Sequence, residues 1–215
     1  AVWTASPAIG DVSAASYQVR LLKDGAQLGS ERKVDASVTA FDFAEIIRAG
    51  GAGVYTVTVQ AVASETNNKS KKNVADSPVG GASAPLYAAN VAVQFAKDTV
   101  SAAGSAGGSV RVGPVSGVTG ESYVALAGET VSLRCVIADA VKTGYAVKTA
   151  GASPAALDFG TAAVPAPGET GYGSYQTTAR LDQLTSADPI TVTFTLQATP
   201  AGVTIANSTT SWPSC

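Results

Sequence analysis

Residues 53–61 decide the fold, and they read Gly53-Val54-Tyr55-Thr56-Val57-Thr58-Val59-Gln60-Ala61. β-Branched and aromatic residues dominate this stretch, and similar side chains recur at every second position. That is the period with which a strand turns its side chains to opposite faces. Similar alternation recurs from end to end of the chain. Only residues 43–49 suggest one or two turns of helix, which Gly50-Gly51 would end. The sequence therefore predicts an all-β protein.

The alternating segments and their turns give the predicted elements. Asp24-Gly25 follows one segment as a hairpin signal, because glycine tolerates the positive φ of a tight reversal. Strands are predicted at residues 2–4, 16–23, 31–34, 39–43, 54–63, 86–88, 91–95, 109–112, 123–126, 130–138, 145–149, 174–181 and 190–198.

Composition limits the classes of function. The 215 residues carry 14 basic and 16 acidic side chains and no histidine. Near-neutral charge without a basic cluster argues against a nucleic-acid partner. The lack of histidine removes the commonest general base and metal ligand. No apolar run approaches the length of a spanning helix, so no membrane insertion is expected.

Carboxylate pairs are the remaining candidates for catalysis. The pairs Asp182 with Asp188, and Asp42 with Glu45, could serve as acid and base. Neither has a supporting motif, and the chain has few aromatic residues to line a sugar cleft. We therefore expect no enzyme, no catalytic residue, no cofactor and no metal site.

Two cysteines, Cys135 and Cys215, fit no zinc or redox spacing. They either form a disulfide, which would pin the C-terminal tail, or remain two unrelated thiols. Cys135 lies in the alternating run 131–137, whose register turns Val131, Leu133, Cys135 and Ile137 inward.

A change of composition near Ala89 marks a predicted boundary between a domain at residues 1–89 and another at residues 90–215. Residues 150–173 form a long Pro, Ala and Gly-rich passage that is too irregular for a hairpin loop. Tyr172 and Tyr175 stand at its end, beside glycines that would leave their rings unshielded. They are the predicted ligand-binding residues, although one ring could instead pack beneath its own loop.

The first half resembles a bacterial fibronectin type III domain. The resemblance rests on Trp3 with Ser6-Pro7, on residues 16–21, on Asp42-Phe43, on residues 53–61 and on Ser83-Ala84-Pro85-Leu86-Tyr87. It implies an immunoglobulin-like β-sandwich in which Trp3 packs on Tyr55 as a core anchor. The family has a strand before the tryptophan strand that is apparently absent here. Either an upstream segment is missing, or something else covers the exposed sheet edge near Trp3. Self-association through that edge is a further prediction.

The second half partly resembles the repeats of internalin-type bacterial surface proteins. The matching features are residues 107–112, the run Gly128-Glu129-Thr130-Val131-Ser132-Leu133, the pair Gly144-Tyr145 and residues 190–194. The tryptophan that usually follows the Gly-Tyr pair is missing. An immunoglobulin-like sandwich is the competing interpretation, and both give a small β domain.

These features predict a non-catalytic module of a secreted or cell-surface bacterial protein. Its function would be adhesion, through an extracellular glycan or protein ligand. Two alternatives stay open: a structural spacer in a larger surface protein, or an accessory module of a polysaccharide-degrading enzyme.

Overall fold

A computed structural model describes residues 1–8, 13–63, 75–96, 108–137, 145–153, 158–159, 174–182 and 184–198. The chain divides into two compact units, Ala1–Ala88 and Ala89–Cys215. The described elements are twelve strands and one short helix, and the predicted all-β class is confirmed. The elements are β1 (Ala14–Lys23), β2 (Ala26–Gln27), β3 (Arg32–Asp35), α1 (Ala44–Gly50), β4 (Gly53–Ala63), β5 (Leu86–Phe95), β6 (Ser109–Pro114), β7 (Ser122–Leu126), β8 (Thr130–Val136), β9 (Tyr145–Ser153), β10 (Asp158–Phe159), β11 (Ser174–Arg180) and β12 (Ile190–Ala198).

In the first unit, β1 is the central strand. It pairs antiparallel with β4 along almost its whole length, and its other edge pairs with β2 and β3. The inward side chains Tyr17, Val19 and Leu21 are buried, and Tyr55 of β4 is 1% exposed. The alternating residues 53–61 thus form a strand whose start is buried at Gly53 and Tyr55, while its remaining residues are half-buried.

The predicted hairpin turn at Asp24-Gly25 is confirmed. Asp24 and Gly25 have φ values of 50° and 83°, the left-handed conformation that a two-residue turn requires at both positions. The Asp24 carboxylate also accepts a hydrogen bond from Val54 N at 2.8 Å. The turn is therefore tied to the start of β4 as well as closing β1 onto β2.

The strands predicted at residues 2–4 and 39–43 do not form. Only the pair Val2 and Ala40 makes an antiparallel bridge. The second segment ends early because Asp42 Oδ1 accepts a hydrogen bond from Ala44 N at 2.9 Å, which turns the chain into α1. The predicted helix is confirmed there, and Gly51, with φ of 83°, follows its last residue.

β5 begins in the first unit and continues into the second. Its residues Leu86–Ala88 pair with the start of β4, and its residues Val91–Phe95 pair with β12. The prediction of two separate strands at residues 86–88 and 91–95 was wrong. Ala88 and Ala89 are both fully buried, so small side chains here fill tight space on both faces of one strand. The division between the two compact units falls within this strand, between Ala88 and Ala89.

The second unit contains two sets of paired strands. One has the order β10, β11, β8, β6 with every pairing antiparallel. In the other, β12 lies between β5, to which it is parallel, and β9, to which it is antiparallel. β8 carries Val131, Leu133 and Cys135 at 0% exposure, and Ile137 follows at 2%. The inward register predicted for these four side chains is confirmed.

Candidate functional site

Tyr175 is the predicted ligand-binding residue that the structure describes. It is the second residue of β11 and lies opposite Cys135 of β8. Its half-buried ring meets the fully buried ring of Phe194 edge to face, with centroids 5.9 Å apart and an interplanar angle of 74°. This contact fixes one side of the tyrosine ring and leaves part of it accessible. Tyr172 and residues 160–173 lie outside the described part of the chain.

Burial governs the chemistry of the groups around Tyr175. Burial raises the pKa of the Tyr175 phenol, and a hydrogen bond with Thr177 opposes this rise. Burial also raises the pKa of Cys135 to about 12. The thiol is therefore neutral at physiological pH and unsuited to nucleophilic attack. Cys215 lies outside the described residues, so the disulfide remains a prediction.

The first carboxylate pair singled out in the sequence is held by local contacts. Asp182 forms an ion pair with Arg180 at 2.7 Å. Asp188 accepts a hydrogen bond from the Ser186 hydroxyl at 2.7 Å. Both contacts lie within two residues along the chain, as in turns and strand ends.

The second pair belongs to the start of α1. Asp42 accepts from Ala44 N, as described above, and Glu45 forms an ion pair with Arg48 at 3.4 Å. A carboxylate before a helix and a Glu in its first turn are stabilised by the free N–H groups there. These contacts give both acids a structural role.

Within the described ranges, no three Cys, Asp or Glu side chains lie close enough together to hold a metal ion. No helix among the described residues is long and apolar enough to span a bilayer.

A groove that sequence reasoning missed lies beside Trp3 in the first unit. Its volume is about 470 Å³, and it opens between the N-terminal segment, the middle of β4 and the segment that leads to β5. It is lined by Ala1, Val2, Trp3, Tyr55, Val57, Val59, Gly80, Gly81, Ser83, Ala84 and Leu86. None of these side chains is charged. The sequence predicts an open sheet edge near Trp3. It does not predict that residues distant in the chain form the other wall of the groove.

The predicted packing of Trp3 on Tyr55 needs correction. The aromatic ring that Trp3 contacts is that of Tyr17, edge to face, with centroids 5.8 Å apart. Tyr55 instead turns its hydroxyl toward the end of α1, where it donates to Gly51 O at 2.6 Å. Trp3 Nε1 is buried and has no hydrogen-bond partner among the described residues.

No protein-family model matches the sequence, and no curated protein matches it. Two solved structures are similar to it, and both are of a bacterial adhesin from Mobiluncus mulieris that contains intramolecular disulfide, isopeptide and ester bond cross-links. The first is 13% identical with a TM-score of 0.29, and the second is 14% identical with a TM-score of 0.22. Each comparison covers 87% of both chains. TM-scores this low assign neither the fold nor the cross-links of the adhesin to this chain.

Proposed function

We propose that this chain is a non-catalytic binding module of a bacterial cell-surface or secreted protein. Its second unit would bind an extracellular glycan or protein through the surface around Tyr175 and Tyr172. The observation that carries the proposal is the ring of Tyr175, which is half-buried at the end of the long Pro, Ala and Gly-rich passage and braced by Phe194 at 5.9 Å.

A braced aromatic ring suits recognition. Sugar rings and peptide side chains stack on tyrosine with little polar chemistry, since the contact area supplies most of the attraction. Because the packing on Phe194 already restrains the ring, binding would cost less side-chain entropy than it would with a free ring. Adhesion through such a surface needs no cofactor.

The test is binding of the whole chain to a panel of glycans and extracellular matrix proteins, measured at several protein concentrations. We expect a saturable signal that Tyr175→Ala and Tyr172→Ala each reduce at least tenfold. Tyr175→Phe is the matched control, because it keeps the ring and its contact with Phe194. Saturable binding that survives both alanine substitutions in folded variants would overturn the site.

A structural spacer is the second candidate function. The observation in its favour is that the two carboxylate pairs are engaged in short-range contacts within turns and around α1. A module selected only for shape would use its polar groups in this way. A panel without any saturable signal, together with a folded chain, would favour the spacer over the binding module.

A further inference from the structure

A pocket of the first unit lies between β1, α1 and the loop that leads to β3, and it shares no lining residue with the groove beside Trp3. Its volume is about 260 Å³. The apolar part of its lining consists of Leu21, Leu28, Phe43, Ile46 and Ala49. Leu21 and Phe43 are buried, and they belong to the core of the unit. The pocket is therefore a concave opening into that core.

Arg32 is the charged side chain of this lining, and it projects from the core face of the sheet. It lies directly opposite Val19 of β1 in the antiparallel pair, and residues directly opposite each other project to the same face. Val19 is fully buried, which identifies that face as the one toward the core. Arg32 itself is exposed, because β3 pairs with no described strand other than β1. Its guanidinium thus stays hydrated at the mouth of an apolar pocket.

The carboxylates near Arg32 in the chain and on α1 are bound elsewhere. Glu31 forms an ion pair with Arg20 at 3.0 Å, and Glu45 forms one with Arg48. Among the described residues, the Arg32 guanidinium has no ion-pair or hydrogen-bond partner. A guanidinium can hold a carboxylate through two parallel hydrogen bonds. The pocket thus combines an apolar interior with one cation that is available to an anion.

We propose that this pocket binds a free monocarboxylic acid with a compact apolar body, which packs on Leu28 and Ile46 while its carboxylate pairs with Arg32. Charge complementarity argues for the anion. The apolar lining argues against a phosphate or a sulfated sugar, because their many polar oxygens would lose water without gaining partners. The volume of about 260 Å³ lies just below the ~300–1,000 Å³ of pockets for drug-sized ligands, so the acid is small.

Backbone-amide NMR of the whole chain during titration with phenylacetate tests the proposal. We expect saturable shifts at the amides of Gly29, Ser30 and Gly50, which line the pocket. Phenylacetamide keeps the apolar body without the charge, and acetate keeps the charge without the body, so each should bind at least tenfold more weakly. Tyr175→Ala should bind phenylacetate like the wild type, because the proposed surface around Tyr175 uses no residue of this pocket.

Substitutions separate the charge from the apolar lining. Arg32→Gln should weaken phenylacetate binding at least tenfold, and Arg32→Lys should weaken it less, since an ammonium keeps the charge but not the fork of donors. Lys33→Gln is the matched control, because it removes the same charge from the next residue of β3, which projects to the opposite face. Ala49→Leu should abolish binding with the fold intact by circular dichroism, since it fills the pocket from an exposed helix position.

The proposal is overturned if phenylacetate causes no saturable shift, which is the result expected if Arg32 serves only to keep other chains from pairing with β3. Equal binding of phenylacetate and phenylacetamide, or equal binding by Arg32→Gln and Lys33→Gln, also overturns it. A peptide ending in phenylalanine that binds at least tenfold more tightly than phenylacetate would overturn the free acid as the ligand and assign the pocket to a protein C-terminus.

Discussion

Ser83 and Val57 exchange two hydrogen bonds, although Ser83 lies in no strand. Ser83 N donates to Val57 O at 2.9 Å, and the Ser83 hydroxyl accepts from Val57 N at 3.0 Å. Ser77 repeats the arrangement with Ala61, at 2.9 Å for both bonds. A serine hydroxyl thus replaces the backbone carbonyl that a neighbouring strand would offer. The edge of β4 beyond its pairing with β5 is satisfied without a regular strand.

These serine contacts predict a loss of stability on substitution. Ser77→Ala should lower the free energy of unfolding by about 1 kcal/mol, because Ala61 N–H loses its acceptor in a partly buried position. Ser83→Ala should cost less, since its bond to Val57 is exposed and water can replace it. Ser30→Ala, at an exposed serine of the same unit, is the control for chemical denaturation. Equal midpoints for Ser77→Ala and Ser30→Ala would contradict the prediction.

Alanine substitutions at Gly25, in the hairpin turn, and at Gly81, outside it, are expected to change stability differently, although both glycines face open space. A methyl group at Gly25 or at Gly81 would meet no atom within 4 Å, but only Gly25 has a positive φ, of 83°. Gly25→Ala should therefore destabilise the chain by about 1 kcal/mol. Gly81→Ala should be neutral or slightly stabilising, because it restricts only the unfolded chain. Thermal unfolding of the two variants compares them directly, and a similar melting temperature would contradict the role given to φ.

The burial of Cys135 predicts that its thiol is unreactive in the folded chain. With its pKa raised to about 12, iodoacetamide at pH 8 should label it only after the chain unfolds. Because burial raises the pKa, its contribution to stability is complete below about pH 8.5, where an unfolded thiol begins to ionise, and is lost as the pH rises toward 12. Cys135→Ala should lack this alkaline loss in denaturant titrations at pH 8 and pH 10.

Labelling with iodoacetamide also tests whether Cys135 and Cys215 form the predicted disulfide. Denatured, unreduced chain should take up two labels if Cys135 and Cys215 are both free, and none if they are joined. The intact mass distinguishes these results. Only the free thiol gives the alkaline effect described above.

The contact between Tyr175 and Phe194 predicts unequal effects of substitution. Phe194 is fully buried, so Phe194→Ala should destabilise the chain by about 3 to 5 kcal/mol through lost contact and cavity formation. Tyr175→Phe should change stability by less than about 1 kcal/mol, because the edge-to-face geometry needs only the ring. Urea denaturation measures both effects. A Tyr175→Phe variant as unstable as Phe194→Ala would show that the hydroxyl, rather than the ring, holds β11 in place.

Alternation predicted most of the strands because one buried face imposes a period of two, and the burial patterns of β1 and β12 show that period. The two-residue strands β2 and β10 were missed, since two residues cannot show a period. Residues 39–43 were predicted as a strand because their composition favours one. The Asp42 carboxylate accepts a hydrogen bond from Ala44 N and turns the chain into α1, and this local contact outweighs the strand propensity.

The contacts at the candidate sites were harder to predict from the sequence than the strands were. The glycines near Tyr175 suggest an unshielded ring, but the ring is half-buried against Phe194, which tertiary packing brings there. Trp3 was paired with Tyr55 by family resemblance, yet Tyr17 and the groove depend on how residues far apart in the chain come together. Composition carries no signal for such contacts, and a single sequence offers no covariation from which to infer them.

The parallel pairing of β5 and β12 bears on how the second unit would carry tension. These are its first and last described strands, joined from Val91 opposite Ile190 to Phe95 opposite Phe194. Pulling the start of β5 and the end of β12 apart would slide the two strands along each other and load their hydrogen bonds together in shear. Bonds that must break together resist force better than bonds that open one by one. Tension applied between these two strand ends would therefore be resisted by the whole β5–β12 ladder rather than by one hydrogen bond at a time.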